Sequence, residues 1–234
     1  MNGEGLGPAE MPEKRSAQAP PGLPAPLAPP TGHPTALEHP ARAEKVALRR
    51  HYRRLRRELR QQPGGGWTNL EEAIAAAVRR ELPAWLGPDQ WLGLYWPLPG
   101  EVDLRPLAAA GIPVALPAVE ATASMAYRPW SPADPLAPDG CGIPAPLAAA
   151  GNLPPAALAV LLVPALAFDP VTGIRLGSGG GWYDRLRADP AWAAVPALAV
   201  LPAHGLHPGL PREPWDLPFG GWLDGEGLHG LAAV

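Results

Sequence analysis

The sequence predicts an α/β fold with a largely parallel sheet. Short apolar runs that suit buried strands alternate along the chain with segments of helical periodicity, a pattern typical of parallel sheets covered by helices. The clearest strand candidate is the uninterrupted apolar run at 158–163, and a glycine-rich segment at 175–184 follows it. In folds of this class, ligand sites gather at the carboxyl ends of the strands. We therefore expect the glycine-rich segment to lie at such a site.

Composition divides the chain into a tail and one domain. The chain has 234 residues, and ten of its 35 prolines fall in residues 1–40, which show no convincing periodicity. We expect residues 1–40 to form a disordered extension rich in proline and alanine. Residues 41–234 are long enough to bury a core and are predicted to form a single α/β domain.

The first predicted helix covers residues 42–60 and is strongly basic. Leu48, Tyr52, Leu55 and Leu59 form an apolar stripe, and cations occupy a neighbouring face. Three interpretations remain open: a solvated basic face, binding to nucleic acid or an anionic membrane, or contact with a phosphate-bearing ligand at the glycine-rich segment. The formal net charge of −3 argues against a dedicated nucleic-acid binder.

The remaining elements alternate between strands and helices. We predict helices at 69–82, 101–110 and 182–187, and strands at 90–95, 112–116, 125–128, 158–163 and 197–201. Together with the first helix, these elements predict a single three-layer Rossmann-like domain. Both the loop at 96–101 and the glycine-rich segment would then lie at the carboxyl edge of the sheet.

Several classes of protein are disfavoured by the sequence. No apolar run approaches the roughly 20 residues that a membrane helix needs, and no signal peptide is recognisable at the start. The single cysteine, Cys141, excludes an internal disulfide and suits a reducing cytoplasm. The histidines lack metal-ligand spacing, and no serine lies on a nucleophile elbow. We expect a cytoplasmic protein, by default monomeric, with no membrane or nucleic-acid partner.

The glycine loop, residues 175–184, is the strongest functional signal. Gly177 and three consecutive glycines at 179–181 are preceded by Arg175 and followed by Asp184. Glycines allow backbone N–H groups to approach phosphate, Arg175 can pair with phosphate, and Asp184 suits a magnesium ion bound to phosphate oxygens. The alternative is a plain flexible connection, since the loop matches neither of the standard phosphate-loop motifs. The two flanking charges favour phosphate or nucleotide binding.

Two further carboxylates have alternative interpretations. Glu101 follows a predicted strand and is a site candidate, but a glutamate at the start of a helix is often only a favourable partner for the helix dipole. Asp216 is either a second metal ligand or a turn residue.

The glycine loop belongs to a series of motifs that occur in a fixed order along the chain. Residues 175–184 match the signature R-(L/M)-G-x-G-x-G-(Y/F)-Y-D, and Lys45 and Arg49 match a K-x-x-x-R helix. Weaker matches lie at 95–104, 125–130, 142–146, 168–173 and 211–216. Together these motifs resemble the 5-formyltetrahydrofolate cyclo-ligase family, also called methenyltetrahydrofolate synthetase, over about residues 42–224.

The resemblance implies a Mg²⁺- and ATP-dependent ligase that converts 5-formyltetrahydrofolate to 5,10-methenyltetrahydrofolate. Arg175 and Tyr183 would be catalytic. ATP would be bound by Lys45, Arg49, Arg175, Leu176, Gly177, Ser178, Gly179, Gly180, Gly181, Trp182 and Tyr183. The folate would contact Trp96, Glu101, Ser178, Gly179, Gly180, Gly181 and Trp182, and Mg²⁺ would be held by Asp184 and Asp216.

Several positions depart from the family's usual residues, and the following three concern the predicted ligand site. Ser178 stands where the family often has tyrosine or arginine, Trp182 replaces the first aromatic residue of a tyrosine pair, and Gly220 stands where some relatives carry an acidic metal ligand. These departures motivate a second hypothesis, a non-catalytic nucleotide- or folate-binding protein on the same fold.

Overall fold

The predicted α/β class is confirmed by a computed structural model of the protein, which describes residues 41–120 and 124–230. The predicted disordered tail, residues 1–40, lies outside the described residues. The helices are α1 (Ala41–Gln61), α2 (Gly66–Trp85), α3 (Pro106–Ala109), α4 (Trp182–Arg187) and α5 (Pro190–Ala193). The strands are β1 (Trp91–Gly93), β2 (Val114–Val119), β3 (Met125–Trp130), β4 (Leu136–Pro138), β5 (Pro144–Pro146), β6 (Leu158–Pro164), β7 (Ala167–Phe168), β8 (Arg175–Leu176), β9 (Ala197–Val200), β10 (Gly221–Asp224) and β11 (Gly227–Gly230).

The main sheet has seven strands in the order β11-β10-β9-β6-β1-β2-β3. Strands β10, β9, β6, β1 and β2 pair in parallel, and β3 and β11 add antiparallel edges. Two short antiparallel pairs, β4 with β5 and β7 with β8, lie outside this sheet. The parallel centre explains why the strand at 158–163 is apolar throughout: β6 has neighbours on both sides and layers on both faces.

Helices cover both faces of the sheet. Alternate residues of a strand point to opposite faces. Thus Val160 and Leu162 of β6 pack in the core beneath α2 and α3, whereas Leu161 and Val163 pack in the core beneath α4 and α5. Trp85 of α2 is 1 % exposed and Leu186 of α4 is 7 % exposed. The three-layer arrangement follows directly from this alternation.

Helix α1 lies at the carboxyl edge of the sheet. Its Tyr52 packs with Leu166, Ile174 and Leu176 in a small apolar cluster around the β7–β8 pair. Arg56, predicted to belong to an exposed cationic face, is 3 % exposed instead. Its guanidinium donates to the carbonyl oxygens of Gly100, at 3.1 Å, and of Ala165. Because these carbonyls follow β1 and β6, Arg56 fixes α1 across the ends of the two central strands.

Several predicted elements differ from the structure. The helix expected to open at Glu101 begins only at Pro106, because the side chain of Glu101 bonds back to the preceding turn and Pro106 fixes the first helical residue. Strand β3 pairs antiparallel with β2 at the edge of the sheet, which remains largely parallel as predicted. Strands β10 and β11 were not predicted, since each has only four residues and they are rich in glycine.

Gly221 shows why glycine is needed in β10. A Cβ atom at this position would come 2.1 Å from the carbonyl oxygen of His229 in β11. The close approach of the two backbones therefore excludes any side chain there. In the part of the chain that the structure describes, no helix is long and apolar enough to span a bilayer.

Candidate active site

The glycine loop joins β8 to α4 and wraps around the side chain of Arg175. Gly179 and Gly181 have φ angles of 111° and 64°, a region that favours glycine. A Cβ atom at Gly177 would lie 2.3 Å from Nη1 of Arg175. Glycine therefore allows the positive φ angles of the loop at 179 and 181, and at 177 it allows the close contact with Arg175. The loop forms part of the wall of a cavity.

Two arginines of α1 hold the glycine loop. Nε of Arg49 donates to the carbonyl oxygen of Gly177 at 3.0 Å, and Nη2 of Arg53 donates to the carbonyl oxygen of Ser178 at 2.8 Å. These contacts place the basic helix directly against the loop, as the third interpretation of its charge requires. Both arginines donate to backbone carbonyl oxygens, so these two hydrogen bonds do not involve the backbone N–H groups of the loop.

Arg175 is fixed between charged and aromatic neighbours. Its side chain is 6 % exposed, and Nη2 lies 3.5 Å from Oδ2 of Asp184. Nη1 donates to the carbonyl oxygen of Pro164 at 3.2 Å. The guanidinium lies 5.3 Å from the ring centres of both Tyr183 and Phe219. The guanidinium is therefore held in one orientation, while Arg175 remains part of a cavity wall.

Tyr183, expected to be catalytic, lies beside Arg175 on the same wall. Burial raises the pKa of its hydroxyl above the ordinary value for tyrosine. At neutral pH the side chain is therefore a neutral hydroxyl and not a phenolate base. Its catalytic role stays a prediction.

Lys45 forms a buried ion cluster with two carboxylates. Its Nζ donates to Oε2 of Glu213 at 2.8 Å and to Oδ2 of Asp216, and the lysine is 4 % exposed. The same Asp216 oxygen accepts the backbone N–H of Glu213 at 2.7 Å. Sequence reasoning included Lys45 and Asp216 but missed Glu213. The available signal was the segment at 211–216, in which Glu213 occupies the acidic position of the family motif.

Glu101 is buried at the side of the loop. Its Oε2 accepts the backbone N–H of Leu98 at 3.0 Å, and its Oε1 accepts the hydroxyl of Ser178 at 3.2 Å. Burial raises the pKa of this carboxyl, and the hydrogen bond from Leu98 and the charge of Arg56 offset that rise in part. Glu101 is thus a side chain of the site and does not cap a helix.

The pKa of Glu101 predicts how its replacement changes stability. Because this pKa is higher in the folded protein than in the unfolded chain, the contribution of Glu101 to stability is full below its ordinary value of 4.5 and is lost as pH rises through the folded-state pKa. We expect Glu101→Gln to raise the free energy of unfolding at neutral pH. The gain should vanish below pH 4.5 when denaturant unfolding is followed across a pH series.

Glu120 provides a control of opposite sign. Hydrogen bonds from Asn152 and Arg128 lower the pKa of Glu120, so Glu120→Gln should lose stability at neutral pH. If Glu101→Gln also lost stability at neutral pH, the hydrogen bonds from Leu98 and Ser178 would outweigh the cost of burying its charge.

Trp96 is held by neighbours on two sides. Its ring packs edge-on against Trp130, with 6.2 Å between ring centres, and the guanidinium of Arg105 lies 4.1 Å from the ring centre. Arg105 is in turn fixed by Asp103 through an ion pair of 2.6 Å. The aromatic side chain is therefore presented to the cavity in a defined position, as a packing role requires.

A cavity of about 1290 Å³ brings the predicted site residues together. This volume exceeds that of an ordinary pocket for one small molecule, so it has room for two ligands. The predicted residues on its wall are Lys45, Arg49, Trp96, Glu101, Arg175, Gly177, Ser178, Gly179, Gly180, Gly181, Trp182, Tyr183, Asp184 and Asp216. Leu176 is not among them, because its side chain is 2 % exposed and packs with Tyr52 and Ile174. Any contact of Leu176 with a ligand would involve its backbone.

The wall opposite α1 was largely missed by sequence reasoning. It includes Val119 of β2, Met125 of β3, and Asp139 and Ile143 of the β4–β5 turn. Asp139 shapes this turn by accepting backbone N–H groups of Val119, Cys141 and Ile143 at 2.9, 2.8 and 3.0 Å. Met125 and Ile143 belong to motifs that the resemblance had identified, but periodicity alone gave no reason to place them near the glycine loop.

The carboxylates fit one particular mode of magnesium binding. Asp184 and Asp216 both line the cavity, yet within residues 41–120 and 124–230 no group of three or more His, Cys, Asp or Glu side chains is placed to hold a metal ion. Magnesium is commonly bound by one or two carboxylates together with substrate phosphates and water. The residues thus suit an ion that arrives with a phosphate-bearing ligand and do not form a dedicated protein cage.

The fold and the cavity define the class of protein. A cation-lined cavity at the carboxyl edge of a parallel sheet is typical of α/β enzymes that act on anionic substrates. The model of the 5-formyltetrahydrofolate cyclo-ligase family matches residues 41–220. The chain belongs to this family and is an enzyme of the ligase class.

Individual relatives support this assignment. The 5-formyltetrahydrofolate cyclo-ligases of Escherichia coli strains K12 and O157:H7 are each 35 % identical to the chain over 129 residues, which is 51 % of this chain and 69 % of theirs. The NMR structure of the Aquifex aeolicus 5,10-methenyltetrahydrofolate synthetase has a TM-score of 0.64 and 26 % identity, covering 81 % of this chain and 94 % of that one. The Mycoplasma pneumoniae synthetase, with a TM-score of 0.56 and 19 % identity over 78 % of this chain and 99 % of its own, supports the fold alone.

Proposed function

We propose that the protein converts 5-formyltetrahydrofolate to 5,10-methenyltetrahydrofolate, with ATP as co-substrate and Mg²⁺ as cofactor, and with release of ADP and phosphate. The observation that carries this proposal is the shared cavity. Cations, the glycine loop, Trp96 and Glu101 all lie on its wall, and Glu101 contacts Ser178 of the loop. Both substrates would therefore meet at the loop.

The chemistry explains why ATP is required. The oxygen of a formamide is a poor leaving group, so ring closure needs its prior activation. The formyl oxygen attacks the γ-phosphorus of ATP, and the bond from that phosphorus to ADP breaks. N10 then attacks the activated formyl carbon and loses its proton, and phosphate departs with the former formyl oxygen. Catalysis of such a transfer rests on positioning and on neutralising phosphate charge.

The phosphate-binding part of the site is formed by Arg175, Arg49, Lys45 and the loop. Arg175 is held in place by Pro164 and the neighbouring rings, so it can orient the transferred phosphate without losing side-chain freedom on binding. The backbone N–H groups of the glycine loop add donors, as in other anion-binding loops. Tyr183, protonated at neutral pH, supplies a further donor.

The folate-binding part of the site is formed by Trp96, Glu101 and Ser178. Trp96 packs against the pteridine ring, and the Glu101 carboxylate accepts a hydrogen bond from a ring N–H. Trp182 and the glycines at 179–181 close the site between the two substrates. The Ser178–Glu101 hydrogen bond of 3.2 Å links this part of the site to the glycine loop, so that the folate and the phosphates would contact connected residues.

Magnesium would be held by Asp184 and Asp216 together with phosphate oxygens. When bound, the ion would supply positive charge that offsets the charge of the phosphates. Both carboxylates are paired with cations in the structure, Asp184 with Arg175 and Asp216 with Lys45. Ligand binding therefore involves an exchange of partners among these four side chains.

The fate of the formyl oxygen tests the mechanism. With substrate that carries ¹⁸O in its formyl group, mass spectrometry of the released phosphate should detect one labelled oxygen per methenyl product. Label found in water instead would contradict phosphorylation of the formyl oxygen.

Asp184→Asn should raise the magnesium concentration that gives half-maximal activity, on the order of ten-fold for one lost charged contact. In EDTA, the same variant should bind ATP no more weakly than the wild type, because a carboxylate that repels phosphate and occupies Arg175 has been removed. Rates of methenyl formation at increasing magnesium concentration measure the first effect, and calorimetric titration with ATP in the presence and absence of magnesium measures the second. An equal loss of ATP affinity under the two conditions would mean that Asp184 only supports the structure of the loop.

A further inference from the structure

The side chain of Trp182 lies on the wall of the cavity with the guanidinium of Arg185 over its ring. The distance from Cζ of Arg185 to the ring centre is 4.2 Å, and both side chains line the cavity. Trp182 is the first residue of α4 and Arg185 is the fourth, so they are neighbours on one face of that helix. The contact therefore follows from the helix itself, and a ligand is not needed to form it.

The indole of Trp182 also packs against the backbone of Gly180. A Cβ atom at Gly180 would lie 2.7 Å from Cδ1 of Trp182 and 2.9 Å from its Nε1. Gly179 and Gly181 have positive φ angles, but Gly180 does not, so its backbone conformation does not call for glycine. The indole is thus the neighbour that excludes a side chain at position 180.

Arg185 is placed to hold this ring in position. Its Nη1 would lie 3.1 Å from a Cβ atom at Gly181, so the side chain folds back over the end of the glycine loop. The preceding residue, Asp184, pairs with Arg175 at 3.5 Å. Among aromatic side chains, tryptophan attracts a cation most strongly through its face. A tryptophan at position 182, where the family usually has a tyrosine, therefore strengthens the stack with Arg185.

We propose that Arg185 is a positioning residue, which holds the indole of Trp182 against Gly180 so that the ring meets the folate in one orientation. The effect on the folate rests on the proposed function, whereas the stack itself rests on contacts within the protein. A ring that is already fixed loses little rotational freedom when a ligand binds. Arg185 therefore contributes to the affinity for 5-formyltetrahydrofolate through Trp182 and takes no part in phosphoryl transfer.

The stack is tested first in the full chain without ligands, by ¹⁹F NMR. The chain has nine tryptophans, and 5-fluorotryptophan gives each indole a signal of its own. The signal of Trp182 is identified by its loss in Trp182→Phe. We expect Arg185→Ala to shift and broaden this signal and to leave the signals of the other indoles in place. Arg185→Lys should change it less, because lysine keeps a cation near the ring. An unchanged Trp182 signal in Arg185→Ala would overturn the stack.

Steady-state kinetics test what the stack does for the folate. We expect Arg185→Ala to raise KM for 5-formyltetrahydrofolate by about 2- to 30-fold, the range for one cation–π contact. The value of kcat should change by less than about two-fold, since the lost interaction acts equally in the ground state and the transition state. Arg60→Ala is the matched control, because the Arg60 guanidinium lies 5.4 Å from the Trp67 ring centre and Arg60 does not line this cavity. Its KM should equal that of the wild type.

Double variants separate action through the indole from direct contact with a ligand. Gly180→Ala alone should also raise KM, because its methyl group displaces the ring. In a Trp182→Ala background, neither Arg185→Ala nor Gly180→Ala should raise KM further, since the ring through which both act is gone.

Additive losses from Arg185→Ala and Trp182→Ala would mean that Arg185 contacts a ligand itself, and would overturn the positioning role. If Arg185→Ala shifted the Trp182 signal but the wild-type chain formed no methenyl product, the stack would be supported and the proposed function rejected. The two failures are therefore distinguishable.

Discussion

Replacing Arg175 by alanine is expected to lower turnover by about 10²–10³-fold, the effect of removing one preorganised donor from a developing anion. The reason is the environment of the side chain. Its guanidinium is 6 % exposed and fixed by Pro164, Asp184 and two aromatic rings, so water cannot take its place in the same geometry. Steady-state rates of methenyl formation with saturating folate measure the loss. Arg175→Lys should recover only part of it, because lysine lacks the planar pair of donors.

Arg187 is the matched control for Arg175. Its guanidinium lies 4.5 Å from the centre of the Phe219 ring, which Arg175 also contacts, but it does not line the cavity. Burial lowers the pKa of Arg187 to about 10, and its Nη1 donates to the carbonyl oxygen of Pro218. Arg187→Ala should destabilise the fold while leaving the affinity for ATP unchanged. Equal losses of ATP affinity in the two variants would contradict a phosphate contact by Arg175.

Replacing Lys45 by methionine is expected to lower the free energy of unfolding by about 3–5 kcal/mol. Methionine preserves much of the volume but leaves Glu213 and Asp216 as two neighbouring buried carboxylates without their cation. Their side chains are 10 % and 11 % exposed, so water solvates them poorly. Denaturant unfolding at neutral pH measures the loss, which is large relative to the total stability of an ordinary domain.

Two variants separate this effect from a general change in α1. Arg54→Met removes the cation of an exposed pair with Glu58 on the same helix, where the side chains are 61 % and 58 % exposed. Such pairs contribute little, so its stability should hardly change. The double variant Lys45→Met/Asp216→Asn should recover part of the loss, because one of the two unpaired charges is gone. A Lys45→Met protein as stable as Arg54→Met would contradict the buried cluster.

The centre of the fold could be predicted from the sequence, whereas its edges could not. Strand β6 is apolar throughout because it is covered on both faces. Such a continuous apolar run can be recognised in the sequence without knowing which strands pair with it. Strands β10 and β11 are short and rich in glycine, and the need for glycine at 221 depends on the close approach of the two strands. For Glu101 the sequence left a site role and a helix start open, because its bond to Ser178 joins residues far apart in the chain and cannot be read from local pattern.

The glycine loop with Arg175 and Asp184 could be predicted because its chemistry is contained in ten consecutive residues. The Lys45 cluster could not be derived in the same way, since Lys45 and Glu213 are separated by 168 residues and meet only through the fold. Arg56 shows the same limit. A run of charged residues predicts a solvated helix face. Arg56 is buried instead, because it donates to the carbonyl oxygens of Gly100 and Ala165, in the segments that follow β1 and β6.

The most direct test of the account is the formation of methenyl product by the purified protein. 5-Formyltetrahydrofolate is mixed with the protein with and without MgATP, and the near-ultraviolet absorbance of 5,10-methenyltetrahydrofolate is followed. Product that appears only with MgATP is the predicted result. A folded protein that binds ATP and gives no product would contradict the proposed reaction and would favour a nucleotide- or folate-binding protein on the same fold.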